Sequence, residues 1–252
     1  MESIGISGVS GFIGSRLAKR LGQFKRLDRS GIYPNCDFIY DFAGYGNLAS
    51  QKNDPSEIYQ ANLMRIITAS KHLGIGKLLY ISTSSVSLPV QTNYSLSKKA
   101  AEEYLRNTGL KVAICRPYTI IGTGEHEEHL IPKLIDSCLN GTKMSFVSDP
   151  VHDFLDVEDF VDALLIIKDK GLFGGEIYEV GSGHSLSNDT IRQLVEGTIG
   201  KKANLEYVKS MRAYDTKDWR ANTERIYSLG WEAKKSIQQT IIEMVNHAKK
   251  NS

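Results

Sequence analysis

Up to Gly122, short apolar runs alternate with stretches in which apolar positions return at helical spacing. Ser3-Ile4-Gly5-Ile6-Ser7 predicts a strand, and Gly11 to Leu21 a helix with Ile13, Leu17 and Leu21 on one face. Arg26-Leu27-Asp28-Arg29 carries a second strand and Asp37 to Phe42 a third. Pro55 opens a helix that runs to about His72, because proline at a first helical position gives up only an N–H that has no partner there. Lys77 to Ser82 is nearly continuous in apolar residues, the pattern of a strand buried on both faces. Tyr94 to Asn107 predicts a helix ending before Gly109, and Lys111 to Cys115 a strand stopped by Pro117. This alternation predicts an α/β fold on a parallel sheet with crossover helices. After Gly122 the rhythm loosens. Gly122 to His129 and Thr142 to Asp153 read as loops, and Ile237 to Lys249 is the last helix. The expected organisation is a core over 1–122 and a smaller lobe over 123–252, with 151–181 returning to the core.

Composition narrows the class. The chain has 252 residues, of which 41% are hydrophobic and 24% charged, enough apolar material for a sizeable core. Its 31 basic and 29 acidic residues leave a net charge of +2, which gives no electrostatic case for nucleic acid or a membrane surface. No apolar run approaches the ~20 residues of a membrane span, and Met1-Glu2-Ser3-Ile4 lacks the basic start of a signal peptide. Cys36, Cys115 and Cys138 are odd in number, widely spaced and without a CxxC, as expected of reduced thiols in a cytoplasmic protein.

The first candidate chemistry is Gly8-Val9-Ser10-Gly11-Phe12-Ile13-Gly14, which follows the first strand and opens the first helix. Gly8 permits a tight turn, Gly11 lets the backbone approach a pyrophosphate, and Gly14 lets helix and strand pack closely. The helix start offers unpaired N–H groups to the phosphates. Its GxxGxxG spacing is one residue longer than GxGxxG. Asp28, at the end of the second strand, suits the adenosine ribose hydroxyls of NAD and repels a 2′-phosphate, although Arg29 beside it leaves NADP open. Tyr94 and Lys98 stand one helical turn apart, so an ammonium can favour the phenolate and bring the phenol toward a usable pKa. A hydroxyl-rich strand end, Ser82-Thr83-Ser84-Ser85, lies shortly upstream.

With these motifs the chain resembles the extended short-chain dehydrogenase/reductases, specifically the NAD-dependent epimerase/dehydratase family acting on nucleotide sugars. The likeness covers nearly the whole chain. It includes Phe42-Ala43-Gly44 at a cofactor strand end, Asn62 in the next helix, and Arg116-Pro117 through Gly122-Thr123-Gly124. It continues in His152-Asp153-Phe154-Leu155-Asp156-Val157, Glu176 to Gly181, and Leu229-Gly230-Trp231. The resemblance implies a Rossmann-like doubly wound sheet whose 1–122 core binds a dinucleotide, with a small C-terminal lobe for substrate. It assigns cofactor contacts to Gly8, Gly11, Phe12, Ile13, Gly14, Asp28, Ala43 and Lys98. Tyr94 would be the acid/base at the sugar C4 oxygen, with Thr83 hydrogen-bonding the same oxygen. Lys98 would hold the nicotinamide ribose and depress the Tyr94 pKa. Substrate contacts would come from Thr83, Thr119, His129, His152 and Arg212. The implied partner is a nucleotide-diphosphate sugar, and the implied assembly a homodimer pairing through the helices near 55–72 and 94–107.

The chain departs from the family pattern in places. Ser84-Ser85 stands where the dehydratases carry Asp-Glu, which argues against elimination at C5/C6 and leaves a 4-epimerase or a 4-ketoreductase. Residues between Asp28 and Asp37 are too few for the usual third strand. Asp41 replaces a histidine, Thr119 an asparagine, and His152 an arginine that helps neutralise the diphosphate, leaving Arg212 of the Arg212-Ala213-Tyr214-Asp215 motif to carry that charge. An imidazole there predicts diphosphate affinity that weakens as pH rises between 6 and 8. Gly124-Glu125-His126-Glu127-Glu128-His129 can look like a metal cluster, but it has no HExxH and reads better as a substrate loop, so no metal is expected. Trp219 and Trp231 read as packing residues. A different class of function, a cofactor-binding regulatory protein without turnover, would fit the trimmed pocket, but it would have no use for Thr83, Tyr94 and Lys98.

Overall fold

A computed structural model of the chain describes residues 2–251 except 48–53, 73, 75, 210, 211, 213, 214 and 217. In chain order, β1 (Ile4–Ser7), α1 (Phe12–Leu21), β2 (Lys25–Leu27) and β3 (Phe38–Asp41) come first. A helical stretch follows as α2 (Pro55–Tyr59), a π-helical turn (Gln60–Met64) and α3 (Arg65–Ser70). Next are β4 (Lys77–Ile81), a 3₁₀ turn (Ser84–Ser87), α4 (Asn93–Arg106), β5 (Lys111–Pro117), β6 (Thr119–Ile121) and α5 (Leu130–Asn140). Then come β7 (Met144–Phe146), β8 (Val151–Asp156), α6 (Val157–Lys170), β9 (Gly174–Val180) and β10 (Ser185–Ser187). The chain closes with α7 (Asn188–Ile199), β11 (Leu205–Tyr207), α8 (Glu224–Ser228) and α9 (Ile237–Asn251). No described helix is long and apolar enough to cross a membrane.

The elements form two compact units. The first comprises Met1–Pro117, Val161–Val180 and Glu224–Trp231. It holds a six-stranded parallel sheet in the order β2-β1-β3-β4-β5-β9. Phe38 to Asp41 and Leu78 to Ile81 are buried throughout, as continuous runs in a doubly covered sheet must be. The 28–37 segment forms turns and no strand, so β2 is the sheet edge. Those turns still feed the core: Tyr33 and Cys36 pack with Leu27, Ile39, Ile66 and Leu78. β5 runs on to Pro117, two residues beyond the expected stop, where the proline ends the strand opposite Val180.

The second unit comprises Tyr118–Phe160, Gly181–Thr223 and Glu232–Ser252. It carries a three-stranded sheet, β10-β8-β6, and a parallel pair, β11-β7. Its core gathers Ile131, Leu134, Phe146, Phe154, Ile191 and Val245. The sequence reading sends 151–181 back to the core as one block; by contact, 151–160 stays with the second unit, where β8 pairs with β6 and β10. Thr142 to Asp153 is not the loop expected. It contains β7 and the start of β8, whose partners β11 and β10 lie far along the chain and leave no local signal.

Candidate active site

Gly8 has φ +68°, the left-handed conformation that glycine adopts without strain, and a Cβ there would press on Phe42. A Cβ on Gly14 would run into the Gly8 carbonyl oxygen, so α1 and β1 meet this closely only without a side chain. Gly11 begins α1 with no side-chain cap and no acidic residue in the first turn, which leaves its N–H groups available to an anion. Phe12 and Ile13 are half-buried there, with the Arg16 guanidinium 4.5 Å from the Phe12 ring centroid. Asp28 is exposed just past β2. Its carboxylate accepts from the Ser30 hydroxyl (2.5 Å) and N–H (2.9 Å), which hold its pKa below the usual value.

Asp41, the last residue of β3, anchors a buried ionic cluster that the local sequence pattern does not assign. Arg65 donates to both Asp41 oxygens, at 3.1 and 2.9 Å, and to the Ala43 carbonyl at 2.8 Å. Burial works against the Asp41 charge, but Arg65, Ser7 and Tyr33 outweigh it and keep the carboxyl ionised. A carboxylate at the end of a wholly apolar strand was the available signal, since such a group needs a partner. Asn62, within the π-helical turn, accepts from the Tyr45 N–H (2.8 Å) and donates to the Tyr45 carbonyl (2.9 Å) and Ser97 hydroxyl (3.0 Å). The turn after Ala43 is thereby tied to α4.

A Thr92–Ser95 capping box starts α4, and the helical repeat then aligns Tyr94, Lys98 and Glu102 along it. Thr83 caps the 3₁₀ turn through a 3.2 Å bond from the Ser85 N–H. Tyr94 is half-buried, and burial raises its pKa while a hydrogen bond with Thr83 draws it back. The Lys98 ammonium donates to the Ile81 carbonyl at 2.8 Å and lies 4.6 Å from the Tyr80 ring centroid. Burial lowers the Lys98 pKa to about 8, with Asp41 and Glu102 pulling it up and Arg65 pushing it down. Glu102 is paired in turn with Arg116, whose own role the sequence reading did not see.

In the second unit, Thr119 starts β6 opposite Phe154. His129 stands at the N-cap position of α5 without a side-chain capping bond, and its Nδ1 lies 2.9 Å from Glu125, on its own loop. Glu125 is buried, which raises its pKa against the pull of His129. Among the described residues no group of three potential metal ligands forms. His152 lies on β8 with its ring 5.3 Å from Trp219 and 5.8 Å from Phe154. Burial and the nearby Arg212 push its pKa down to about 4 against the pull of Asp215. This corrects the expected pH dependence: His152 is already neutral at pH 6 and has no charge to lose by pH 8. The Asp215 N–H donates to the Arg212 carbonyl at 3.2 Å, and Ala213 and Tyr214 lie outside the described residues. Trp231 is a core residue, whereas Trp219 is half-buried beside His152 and Tyr118.

A parallel sheet with a glycine turn into its first helix, and a tyrosine–lysine helix beside its central strands, defines an α/β fold of the short-chain dehydrogenase/reductase type. The family model "NAD dependent epimerase/dehydratase family" matches residues 27–181, and the chain belongs to that family. The matched span begins after the glycine loop, which rests on the geometry above. The chain is 25% identical over 239 residues to the "Low-salt glycan biosynthesis protein Agl12" of Haloferax volcanii, covering 86% of this chain and 76% of that protein. It is 26% identical to the "GDP-6-deoxy-D-mannose reductase" of Pseudomonas aeruginosa, over 94% of this chain and 93% of the relative. Among solved structures, "MoeE5 in complex with UDP-glucuronic acid and NAD" superposes with a TM-score of 0.89 at 18% identity, covering 99% of this chain and all of that one.

Proposed function

We propose that the protein is an NAD(P)-dependent enzyme acting at C4 of a nucleotide-diphosphate sugar, as a 4-epimerase or a 4-ketoreductase. The observation that carries this reading is α4, which sets the Tyr94 phenol where the Thr83 hydroxyl lowers its pKa and buries Lys98 one turn further on. A dinucleotide fits the residues present: the glycine turn has no room for a side chain at Gly14, and the start of α1 is uncapped. Bound there, it supplies reversible hydride transfer at the sugar C4. Tyr94 takes the proton from the C4 hydroxyl as the carbonyl forms and returns it on reduction, and Thr83 orients the same oxygen. Lys98 holds the nicotinamide ribose, and Asp28 the adenosine ribose. Ser84 and Ser85 are buried and carry no carboxylate, which disfavours a dehydratase. Thr119, His129, His152 and Arg212 are assigned to the nucleotide sugar, with His152 acting as a neutral donor.

We also expect a homodimer in the cytoplasm. Met64 and Leu96, on the two helical segments expected to pair, are 45% and 41% exposed, and all three cysteines are free and buried. The first test is to purify the protein without added nucleotide, denature it and identify any released cofactor by mass spectrometry. Near-stoichiometric NAD points to an epimerase. An empty protein that prefers NADPH to NADH points to a ketoreductase and removes the role of Asp28. A protein that binds neither overturns the proposal.

A further inference from the structure

β1 and β3 end side by side, with Ser7 in register with Asp41. The Ser7 hydroxyl donates to Asp41 Oδ1, and Tyr33 donates to the same oxygen at 2.9 Å. Arg65 bonds both Asp41 oxygens and also reaches the Tyr33 hydroxyl. Both backbone polar groups of Ala43 end on this cluster: its N–H donates to Ser7 Oγ at 2.9 Å, and its carbonyl accepts from Arg65 at 2.8 Å. Ser7 immediately precedes the glycine loop. Ala43 immediately precedes Gly44, where a Cβ would lie 3.0 Å from Asn62 Oδ1 and 3.4 Å from Lys98 Nζ. The cluster is thus wedged between three parts of the proposed cofactor site.

Stability alone does not account for it. A buried ion pair is often no better than apolar residues of the same volume, because desolvation offsets the attraction. What the pair provides that an apolar plug cannot is a direction for the Ala43 carbonyl and a fixed charge pattern beside Lys98. We propose that Asp41 and Arg65 are positioning residues, which pin the 42–44 turn between the glycine loop and Lys98 for dinucleotide binding. Tyr33 completes the clamp from the 28–37 turns, the segment too short to add a strand beyond β2. The inference rests on the assignment of the glycine loop, Ala43 and Lys98 to the cofactor.

The groups facing Lys98 are the Ile81 carbonyl and Tyr80 ring from β4, Asp41 from β3, Arg65 from α3, and Glu102 from its own helix. Asp41 favours the ammonium and Arg65 opposes it. Asp41→Asn should therefore move the Lys98 titration below its value of about 8, because Arg65 keeps its charge. A merely loosened core would admit water and move it the other way, toward the ordinary ~10.4.

The test uses the full-length protein. Lys98 is titrated by NMR with ¹³C-labelled lysine, and NAD affinity is measured by calorimetry at pH 7. The neutral pair Asp41→Asn/Arg65→Met should fold with a melting temperature close to the wild type, yet bind NAD roughly a hundredfold more weakly. Tyr33→Phe, which removes one bond to the carboxylate, should lose roughly tenfold. NAD binding unchanged in the double variant, or an upward move of Lys98 in Asp41→Asn, overturns the proposal. If Asp41→Asn fails to fold, the double variant and Tyr33→Phe decide. If the wild type binds no dinucleotide, the functional reading fails and this proposal with it; if the wild type binds and the double variant binds equally well, the positioning role alone falls.

Discussion

The half-buried Arg116 and the buried Glu102 form a forked ion pair: Nη2 donates to Oε2 at 2.5 Å and Nε to Oε1 at 3.0 Å. The guanidinium also reaches the Ser87 hydroxyl at 3.4 Å and Glu179 at 3.7 Å. One arginine on β5 therefore joins α4, which carries Tyr94 and Lys98, to the 3₁₀ turn capped by Thr83 and to β9. Arg116→Met would strand the Glu102 carboxylate in the core. It should cost about 3–5 kcal/mol in urea unfolding. Arg116→Lys keeps the charge but loses the fork, and should retain part of the loss. A methionine variant as stable as the wild type would show that the pair holds nothing together.

The glycine loop offers a contrast within one motif. Gly14→Ala drives a methyl group into the Gly8 carbonyl oxygen, which belongs to rigid backbone, so helix and loop must part. Gly11→Ala places its methyl 3.3 Å from that same oxygen, a strain relieved by a small shift. Gly14→Ala should lose cofactor binding by roughly a hundredfold or more, and Gly11→Ala by roughly tenfold or less, in direct titrations with NAD and NADPH. Equal losses at the two positions would mean that the close approach of α1 to β1 does not govern binding.

What was legible in the chain was what is local. The glycine spacing, the Tyr94–Lys98 turn and the apolar runs of β1, β3 and β4 each declare themselves within a few residues, because helix and strand periods are short-range. The missing strand after Asp28 was legible by length alone. Asp41 and Arg65 stand 24 residues apart, and only the packing of α3 on the sheet makes them partners. β7, β10 and β11 are three residues each, too short for a period, and exist through pairing with distant segments. The charge of His152 was misjudged for the same reason. Its neighbours Trp219, Arg212 and Asp215 come from a stretch far along the sequence.

His152 makes a prediction in the acid range. Its folded pKa, about 4, is lower than the ordinary histidine value, so above pH 6.5 it is neutral in both folded and unfolded chains and carries no pH-dependent penalty. Between 6.5 and 4 the unfolded chain takes up a proton that the folded one refuses, and stability falls by up to about 3 kcal/mol. His152→Phe, packed on Phe154 and Trp219, should flatten that part of the pH–stability curve. Urea unfolding at intervals from pH 7 to 4 reads it. The same reasoning expects nucleotide-sugar affinity to show no step from His152 between pH 6 and 8.

Tyr94→Phe tests the chemistry. In the proposed mechanism the phenol moves the C4 proton, so on its loss turnover should fall roughly 10²–10⁴-fold while NAD affinity stays within about twofold. Thr83→Val supplies the sign. The Thr83 hydrogen bond lowers the Tyr94 pKa, so its loss raises that pKa further. For sugar oxidation the phenolate is the active form, and activity climbs as pH rises through the tyrosine pKa. The rising limb of the kcat profile should therefore move to higher pH in Thr83→Val. It should vanish with the residual activity in Tyr94→Phe. A limb that stays in place in Thr83→Val separates that hydroxyl from Tyr94, and full turnover in Tyr94→Phe removes the tyrosine from the mechanism.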